Sequence, residues 1–386
     1  MQQFEILKQD KPNGDGAIMK YRTLRGTDIY CIGVPLYYDS GGDWDLGPTW
    51  CYVVPGEKLT LIDTGQFGKF DILTSMLAQA GFDIKDIGRV IITHGHEDHD
   101  GNLPEVLEAS GAGLWAHFAF DNMVAYHEDI DDGAAHPDFP GSCRTCLMPE
   151  QFNTVCRPYH RKRSKLKAAH QIKEGAASPD SRFRFLLTPG HSPDSMCSIF
   201  EDEVVFGGDT LLATITPHPS LMLEYYCNKR ILPEGYGKDH GAYGLISYIS
   251  SLDKLQKECR DTQLLLPGHR LFEKGKPNYL RPAERAAEIL RFHAERCGNI
   301  LRILDGRVLD LDQISIELFD PRLRRGYGKY LSQREVMSHL ELLAVQGDVE
   351  WVDGSRFTSR ATGSEKHKDF FQQFTKEGAN EGRSPS

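Results

Sequence analysis

The sequence contains no apolar run that approaches the roughly eighteen residues of a membrane-spanning helix. It has no excess of positive charge either, since 45 Lys and Arg residues stand against 55 Asp and Glu residues and give a net charge of −10. Proteins that coat nucleic acid need clustered positive charge, so this balance argues against that class. Nine cysteines, an odd number in a chain of 386 residues, do not indicate a secreted disulfide framework. These absences leave a globular protein with mostly reduced thiols.

The chain begins with the polar stretch MQQFEILKQDKPNGDG, which lacks the basic-then-apolar order of a signal peptide. We therefore expect a cytoplasmic protein with no membrane partner. The length allows one large domain and a smaller one, or two domains of middling size.

Positive charge is concentrated in one segment. Residues 157–173, RPYHRKRSKLKAAHQIK, carry seven Lys or Arg residues and no acid. Such a segment either binds phosphate groups, of a coenzyme A thioester or of RNA, or forms a solvated surface loop. Proteins that read RNA usually interleave basic residues with stacking aromatic rings, and this segment has only Tyr159. The segment therefore favours a small-molecule substrate, and nucleic acid stays the less favoured partner.

Short apolar runs alternate with stretches of helical spacing, which predicts an α/β fold. The predicted strands are WCYVV, LTLIDTG, RVIITHGH, GLWAH, RFRFLLTPGH, the hairpin CSIFEDEVVFGGDT, and QLLLPGH. The predicted helices cover residues 69–80, residues 102–110 and the segment YGLISYISSLDKLQKE. Side chains that can bind metal recur where these strands end.

Changes of pattern divide the chain. Residues 1–277 form the predicted catalytic domain, with a polar insertion rich in Cys, His and basic residues from about 125 to 180. Residues 278–360 contain helices followed by a two-stranded turn, which is typical of a winged-helix-like module. This module carries 13 basic and 13 acidic residues, so we interpret it as a part that packs on the catalytic domain and supports a homodimer rather than as a phosphate-binding surface. Residues 361–386 are polar, and we expect a disordered tail.

The segment VIITHGHEDHDG, residues 90–101, places three histidines and several acids directly after an apolar strand. In an extended segment the side chains of residues i and i+2 share a side, so His94 and His96 can bind one ion together. Asp98 and His99 follow where the chain turns, and they point in a different direction. Imidazole and carboxylate groups are ligands for zinc, iron or manganese. Four such ligands are too many for one ion that keeps an open position.

Three more candidate ligands follow later strands: His191 in TPGHSPDS, Asp209 in FGGDT and His269 in LLPGH. Glycine beside each lets the backbone come close to a shared cleft. The predicted metal ligands form two sets, bridged by Asp209: His94, His96 and His191 for one ion, and Asp98, His99 and His269 for the other. Asp63 ends its strand beside the cluster and is predicted to orient a ligand or loop by hydrogen bonding.

These motifs resemble those of the metallo-β-lactamase superfamily, whose hallmark His-x-His-x-Asp-His is matched by HGHEDH. The segments LIDTG, TPGHS, GGDT and PGH occur in the family's order, and the resemblance spans roughly residues 28–275. It implies a four-layer αβ/βα sandwich with a dinuclear metal site at one edge of its sheets.

Two of the predicted ligands differ from those of particular branches of the superfamily, which argues against those branches. The antibiotic-hydrolysing members usually have Cys where this chain has Asp209, so β-lactam hydrolysis is not expected. Flavodiiron proteins typically carry Glu where His96 stands. The ligand set resembles that of the glyoxalase II, lactonase and nuclease branches. The helical C-terminal segment more weakly resembles lactamase-like thioesterases and a mitochondrial endoribonuclease.

The resemblance implies hydrolysis by a hydroxide that bridges two divalent ions, with zinc expected and iron or manganese as alternatives. A metal lowers the pKa of bound water to about 7, so no Ser or Cys nucleophile is needed. Asp98 is the predicted catalytic residue that orients this nucleophile. We expect a small acyl thioester or ester as the substrate, because the loop after Asp209 is apolar and aromatic. The alternatives are an endoribonuclease or phosphodiesterase, a mononuclear iron sulfur dioxygenase, and an inactive sensor.

The insertion contains a second pattern of candidate metal ligands, C-x2-C-x9-C-x3-H. Its members are Cys143, Cys146, Cys156 and His160. This spacing is compatible with a structural zinc site, although reduced cysteines in a loop are the more ordinary interpretation.

Overall fold

The computed structural model describes residues 4–36, 45–125, 150–360 and 366–375. Within these ranges the strands are β1 (Glu5–Lys8), β2 (Ile18–Arg22), β3 (Asp28–Val34), β4 (Thr49–Val54), β5 (Leu59–Ile62), β6 (Ile87–Ile91), β7 (Gly113–His117), β8 (His170–Ile172), β9 (Phe183–Leu187), β10 (Met196–Phe200), β11 (Val204–Gly208), β12 (Leu264–Pro267), β13 (Phe272–Glu273), β14 (Lys276–Pro277), β15 (Leu309–Asp310), β16 (Val349–Asp353) and β17 (Arg356–Ser359). The helices are α1 (Phe70–Gln79), α2 (Leu103–Ser110), α3 (Phe120–Met123), α4 (Glu150–Arg163), α5 (Met222–Asn228), α6 (Gly244–Glu258), α7 (Pro282–Leu304), α8 (Leu311–Leu318), α9 (Gly328–Gln346) and α10 (Lys366–Thr375).

Two sheets form the centre of the molecule. The larger has eight strands in the order β1 to β8, antiparallel from β1 to β5 and parallel from β5 to β8. The smaller has the order β12-β11-β10-β9, with β11 and β12 parallel. Because β5, β6, β11 and β12 belong to parallel pairs, the loops that follow the two strands of a pair leave from the same edge of their sheet.

Strand β4 shows why both faces of the larger sheet are buried. All six of its residues are buried. Trp50 and Tyr52 belong to the core between the two sheets, which also contains Phe206 of β11. Cys51 and Val53 point to the opposite face and pack in the core that includes α1 and α2. This alternation follows from the two-residue period of a strand and explains the continuous apolar run in the sequence.

The outer face of the smaller sheet packs against α6, with Val205 and Leu265 beside Leu245 and Ile249 in a third core. This core continues into α7, α8 and α9. The resulting order of helix, sheet, sheet and helix confirms the predicted four-layer α/β architecture. Among the described residues, no helix combines the length and the apolar character needed to cross a membrane.

The C-terminal helices are accompanied by a small sheet of order β15-β17-β16. Helix α8 begins at a capping box, in which Asp310 accepts a hydrogen bond from the Gln313 N–H and the Gln313 side chain accepts one from the Asp310 N–H. The winged-helix interpretation and the domain boundaries remain predictions.

Residues 366–375 differ from the expected disordered tail, because they form α10. The amide groups of Lys366 and His367 donate hydrogen bonds to the two carboxylate oxygens of Asp348, at 2.9 and 2.7 Å, which caps the start of the helix. Phe371 is buried in the core formed with α7 and α9. The prediction of disorder was wrong for this stretch since it weighed overall polarity and missed the apolar helix face.

The predicted insertion at about residues 125–180 also contains regular structure. Helix α4 lies within it, and β8 extends the larger sheet beside β7. Residues 126–149 of the predicted insertion lie outside the described residues.

Glu341 of α9 generates a prediction about stability and pH. It is fully buried, and its carboxylate accepts hydrogen bonds from the amides of Met222 and Leu223 at 2.7 and 3.1 Å. Burial raises its pKa to about 8, although these two hydrogen bonds oppose the shift. In the unfolded chain the carboxyl group titrates near 4.5. Between these two pH values the folded state holds the proton more tightly, so the free energy of unfolding should fall as pH rises.

The substitution Glu341→Gln removes the ionisation and keeps one of the two acceptor oxygens, while its NH2 group replaces the other at a cost that does not depend on pH. We expect the variant to gain stability relative to the native chain, by up to about 1.4 kcal/mol for each pH unit between about pH 5 and pH 8. Urea unfolding across this range measures the difference. Glu317→Gln, at an exposed ion pair with Arg307, is the control and should show no such gain. Parallel stability profiles for native chain and Glu341→Gln would contradict the assignment.

Candidate metal centre

Loops that follow five strands meet at one edge of the sandwich. Asp63 follows β5, the segment 94–99 follows β6, and the remaining residues follow strands of the smaller sheet: His191 after β9, Asp209 after β11 and His269 after β12. Backbone hydrogen bonds join the two sides here. Met196 N–H donates to Thr93 O at 2.9 Å, and Trp50 N–H donates to Gly268 O at 2.8 Å. The sheet edges therefore fix the loops that carry the predicted ligands.

The structure brings His94, His96 and His191 together. The Nε2 atom of His94 lies 3.0 Å from Nδ1 of His96, and Nε2 of His191 lies 3.2 Å from the same atom. One ring nitrogen from each of these three residues lies within 4.8 Å of the other two, so the three nitrogens can bind a single ion.

Asp98, His99 and His269 form the second group. The Nε2 atoms of His99 and His269 lie 3.3 Å apart, and the Asp98 carboxylate lies 3.2 Å from His269 Nε2. Asp209 lies between the groups, with carboxylate oxygens 3.3 Å from His99 Nε2 and 3.7 Å from His191 Nε2. All seven predicted ligands therefore converge in space, in the two sets expected from the sequence.

Hydrogen bonds from Nδ1, on the side of the ring away from the other ligands, fix the orientation of two imidazoles. Nδ1–H of His191 donates to the His218 carbonyl at 2.8 Å, and Nδ1–H of His269 donates to the Pro48 carbonyl at 3.0 Å. Carbonyl oxygens only accept, so both Nδ1 atoms carry protons and both Nε2 atoms face the other predicted ligands. Metal-binding histidines are held in the same way in proteins generally.

Asp63 orients two further rings. Its carboxylate accepts hydrogen bonds from the Thr93 amide, from the Thr93 hydroxyl and from His99 Nδ1–H, at 2.8, 2.8 and 2.9 Å. Because the Thr93 hydroxyl donates to Asp63, it is an acceptor for His94 Nδ1–H, 3.1 Å away. Asp63 thus lies where the sequence predicted an orienting residue, and that role remains a proposal.

Several imidazole nitrogens of the site face one another rather than a hydrogen-bond donor. His99 and His269 both hold a proton on Nδ1, and their Nε2 atoms face each other at 3.3 Å beside the carboxylates of Asp98 and Asp209. His96 Nδ1 faces both His94 Nε2 and His191 Nε2 and can donate only one proton. One of the two facing Nε2 lone pairs therefore accepts no proton from His96. In addition, Oδ1 of the buried Asp209 has no hydrogen-bond partner among the described residues. This donor set fits divalent cations.

Burial and charge shift the pKa values in two directions. Burial lowers the pKa of His94 well below its usual value, and it lowers that of His191 to about 4. Burial also acts to lower the pKa of His99, but Asp209 and Asp98 outweigh it and raise that pKa well above its usual value. The first group is therefore neutral and ready to donate lone pairs, whereas the second has two nearby carboxylates whose negative charge a cation would balance.

Close backbone approach explains the glycine at position 268. A Cβ atom there would lie 2.3 Å from Oδ1 of Asp209 and 2.7 Å from the His99 ring. No side chain fits at such distances, so Gly268 lets β12 end directly behind the two groups.

Helix α4 supports the metal-binding loop from outside, a contact that the sequence reasoning missed. Arg163 is buried and donates hydrogen bonds to the Gly95 carbonyl at 2.9 Å and to the Asp100 carboxylate at 2.8 Å. The Tyr159 hydroxyl also donates to Asp100. Burial raises the pKa of Asp100 to about 6, with Arg163 opposing that shift. Part of the basic segment 157–173 is thus a buried anchor rather than a solvated loop.

Loss of this anchor generates a prediction. The Arg163→Met variant removes the hydrogen bond to Gly95, which lies between His94 and His96, and the one to Asp100, which follows His99. We therefore expect metal affinity to fall by roughly tenfold to a hundredfold. Competition with a fluorescent chelator measures the affinity. Lys162→Met is the matched control, because Lys162 pairs with Glu105 at the surface. Equal affinities in the two variants would show that Arg163 does not support the site.

The predicted structural zinc site cannot be assembled from the described residues, since Cys143 and Cys146 lie outside them. Cys156 and His160 lie one turn apart on α4, and Cys156 is buried. The described cysteines form no disulfides with one another. The zinc assignment for this segment remains a prediction.

A cavity of about 940 Å³ opens beside the metal-binding residues. His96, Asp98, His191 and Asp209 line one part of it. The loop at residues 212–218 contributes Leu212 and Ile215 to its wall, as expected for the segment after Asp209. The aromatic residues of the wall come instead from the C-terminal part of the chain and are Phe292, Phe319 and Tyr327. The sequence offered no signal that this part would line the cavity.

A further group of possible metal ligands lies in the C-terminal helices. His293 Nδ1 is 3.0 Å from His339 Nε2, and Glu335 lies close to both residues. His339 Nδ1–H donates to the Glu335 carbonyl at 2.7 Å, so His339 Nε2 accepts the proton of His293. A hydrogen bond accounts for this pair without an ion.

Comparison with known proteins establishes the family. Residues 44–269 match the model of the metallo-beta-lactamase superfamily. The chain therefore belongs to the metallo-β-lactamase superfamily.

Two relatives illustrate the range of similar proteins. "Probable metallo-hydrolase YqjP" of Bacillus subtilis is 25% identical over 337 residues, which cover 83% of this chain and 93% of that protein. An "Atrochrysone carboxyl ACP thioesterase" of Aspergillus fumigatus is 28% identical over 240 residues, which cover 58% of this chain and 61% of the relative. The match to this fungal relative thus spans less than two thirds of its length.

Two crystal structures share the fold. A metallo-beta-lactamase family protein from Thermus thermophilus superimposes with a TM-score of 0.65 at 22% identity, covering 86% of this chain and 98% of the other. A beta-lactamase domain protein from Burkholderia ambifaria gives a TM-score of 0.64 at 19% identity, covering 93% and 98%. Both coverages exceed the share of the chain that matches the family model, so the likeness in fold extends beyond that segment.

Proposed function

We propose that the protein is a dinuclear metal-dependent hydrolase that acts on a small acyl thioester or ester. The observation that carries this proposal is the convergence of imidazole nitrogens and carboxylates around two points beside a substrate-sized cavity. Superfamily membership and the names of the relatives, a metallo-hydrolase and a thioesterase, support the same reaction class.

Each ion would have its own set of ligands. His94, His96 and His191 would hold one ion, and Asp98, His99 and His269 the other, with Asp209 shared between them. Five imidazoles and two carboxylates form a nitrogen-rich set that suits zinc, and iron or manganese would also be accepted. When bound, such ions lower the pKa of water to near neutrality and polarise a carbonyl group.

The chain's own residues prepare this chemistry. Burial keeps the first group of imidazoles uncharged, and the hydrogen bonds on Nδ1 hold His191 and His269 with their Nε2 atoms inward. Asp98 also lines the cavity, where its carboxylate can accept a hydrogen bond from an attacking water and so orient that water. We assign Asp98 the catalytic role on this basis.

The cavity favours an acyl substrate over a phosphodiester. A nucleic-acid backbone needs several cationic contacts at once, and the cavity offers three Arg side chains against eight Asp and Glu side chains. Apolar residues such as Leu212, Ile215 and Phe292 supply surface for an acyl group. Coenzyme A is one suitable thiol carrier, and the basic residues of segment 157–173 other than Arg163 could meet its phosphates.

Metal content and activity test the proposal together. We expect about two zinc, iron or manganese ions per chain and hydrolysis of acyl thioesters. The His96→Ala variant should lose metal from the first group, and its kcat/KM should fall by more than roughly a hundredfold, since even the partners of metal ligands contribute tenfold to a hundredfold. Elemental analysis and a panel of acyl thioesters, lactones and phosphodiesters give these values.

His170→Ala is the matched control, because His170 is exposed and packs against Trp115 rather than against the predicted metal ligands. It should keep both metal and activity. Turnover of RNA or a bis-phosphate ester with none of thioesters would favour a phosphodiesterase. One iron per chain with oxygen uptake would indicate a dioxygenase. Full metal loading without any turnover would indicate a sensor.

A further inference from the structure

The cavity has a polar part built by the C-terminal helices. Arg296 and Phe292 reach it from α7, Phe319 from the end of α8, and Glu335 from α9. None of these four residues belongs to the proposed metal-binding sets. A charged group here must therefore serve packing, or bind a part of the substrate other than its reacting carbonyl.

Arg296 is held in place by aromatic rings rather than by acceptors. Its guanidinium lies 4.8 Å from the ring centre of Phe292 and 4.8 Å from that of Phe319. These cation–π contacts use the faces of the group and leave its N–H edges open. Within the described part of the chain, the Arg296 side chain makes no hydrogen bond or ion pair, although it lines the cavity.

The other arginines of the cavity wall are engaged. Arg285 donates hydrogen bonds to the carbonyls of Leu212 and Ile215, at 2.7 and 2.9 Å. Arg270 pairs with Glu273 at 2.7 Å. Both therefore have structural partners, and among the described cavity residues Arg296 alone offers an unused guanidinium.

Glu335 does not satisfy Arg296. The two groups form no ion pair, and Oε1 of the buried Glu335 carboxyl has no hydrogen-bond partner among the described residues. Burial raises the pKa of Glu335 to about 7, although Arg296 opposes this shift. Near neutral pH a substantial fraction of Glu335 is therefore uncharged, so it competes only weakly with an incoming anion.

We propose that Arg296 binds a carboxylate at the far end of the acyl group, so that the preferred substrates are half-thioesters of dicarboxylic acids. The planar fork of the guanidinium matches the two oxygens of a carboxylate. The thioester end would lie by His96, Asp98 and Asp209, with a hydrocarbon spacer along the apolar wall. This inference rests on the proposed thioesterase function and adds the substrate class.

Paired thioesters of N-acetylcysteamine test the inference on the metal-loaded, full-length protein. One series carries a terminal carboxylate and increases in chain length, and the matched series ends in a methyl group. This small thiol has no phosphates, so any effect of charge comes from the acyl group. At the chain length that spans the cavity, we expect kcat/KM for the carboxylate to exceed that of its match by roughly tenfold to a hundredfold, mainly through a lower KM.

Variants assign the preference to one side chain. Arg296→Met should reduce the ratio between matched substrates to near one, and Arg291→Met, at an exposed position on the same helix, should leave it intact. Arg296→Lys keeps the positive charge without the planar pair of N–H donors, so it should retain part of the preference. This variant provides the test if Arg296→Met fails to fold.

The outcomes separate the two proposals. If the native protein hydrolyses no thioester of either series, the proposed function fails and this inference with it. If it hydrolyses both series equally, or if Arg296→Met keeps the preference for the carboxylate, the proposed function stands and the carboxylate site is overturned.

Discussion

The structure depends on turning buried imidazole nitrogens toward one another. His99 and His269 give their Nδ1 protons to Asp63 and to the Pro48 carbonyl, which turns their Nε2 atoms toward each other at 3.3 Å. His94 and His191 turn Nε2 lone pairs toward the same His96 Nδ1, which can donate only one proton. A cation among these nitrogens would accept the lone pairs that no proton satisfies, so the site is organised for ions rather than for its own hydrogen bonds.

The rest of the fold holds this arrangement in place. The two sheets share an aromatic core, and hydrogen bonds such as Trp50 N–H to Gly268 O join their edges beside the site. Arg163 of α4 holds the backbone carbonyl between two ligands from the opposite side. Metal binding would therefore stabilise the folded state, because the unfolded chain has no such prepared group of ligands.

Much of this could be predicted from sequence because its signals are local. The spacing of His94 to His99 and the continuous apolar strand before it report directly on one loop and one buried strand. Arg163 and Arg296 gave no comparable signal. Each acts through a neighbour distant in sequence, Asp100 for one and the cavity for the other, and a basic residue in a helix usually faces solvent. Helix α10 was missed for the same reason, since its partners lie on α7 and α9.

The central claim is that two ions occupy the two groups of ligands. Anomalous diffraction from crystals of the metal-loaded protein tests it most directly. The account predicts two peaks, one bounded by the nitrogens of His94, His96 and His191 and the other by the ligand atoms of Asp98, His99 and His269, with Asp209 between them. A single peak, or peaks remote from these nitrogens while the rings keep their present positions, would contradict it.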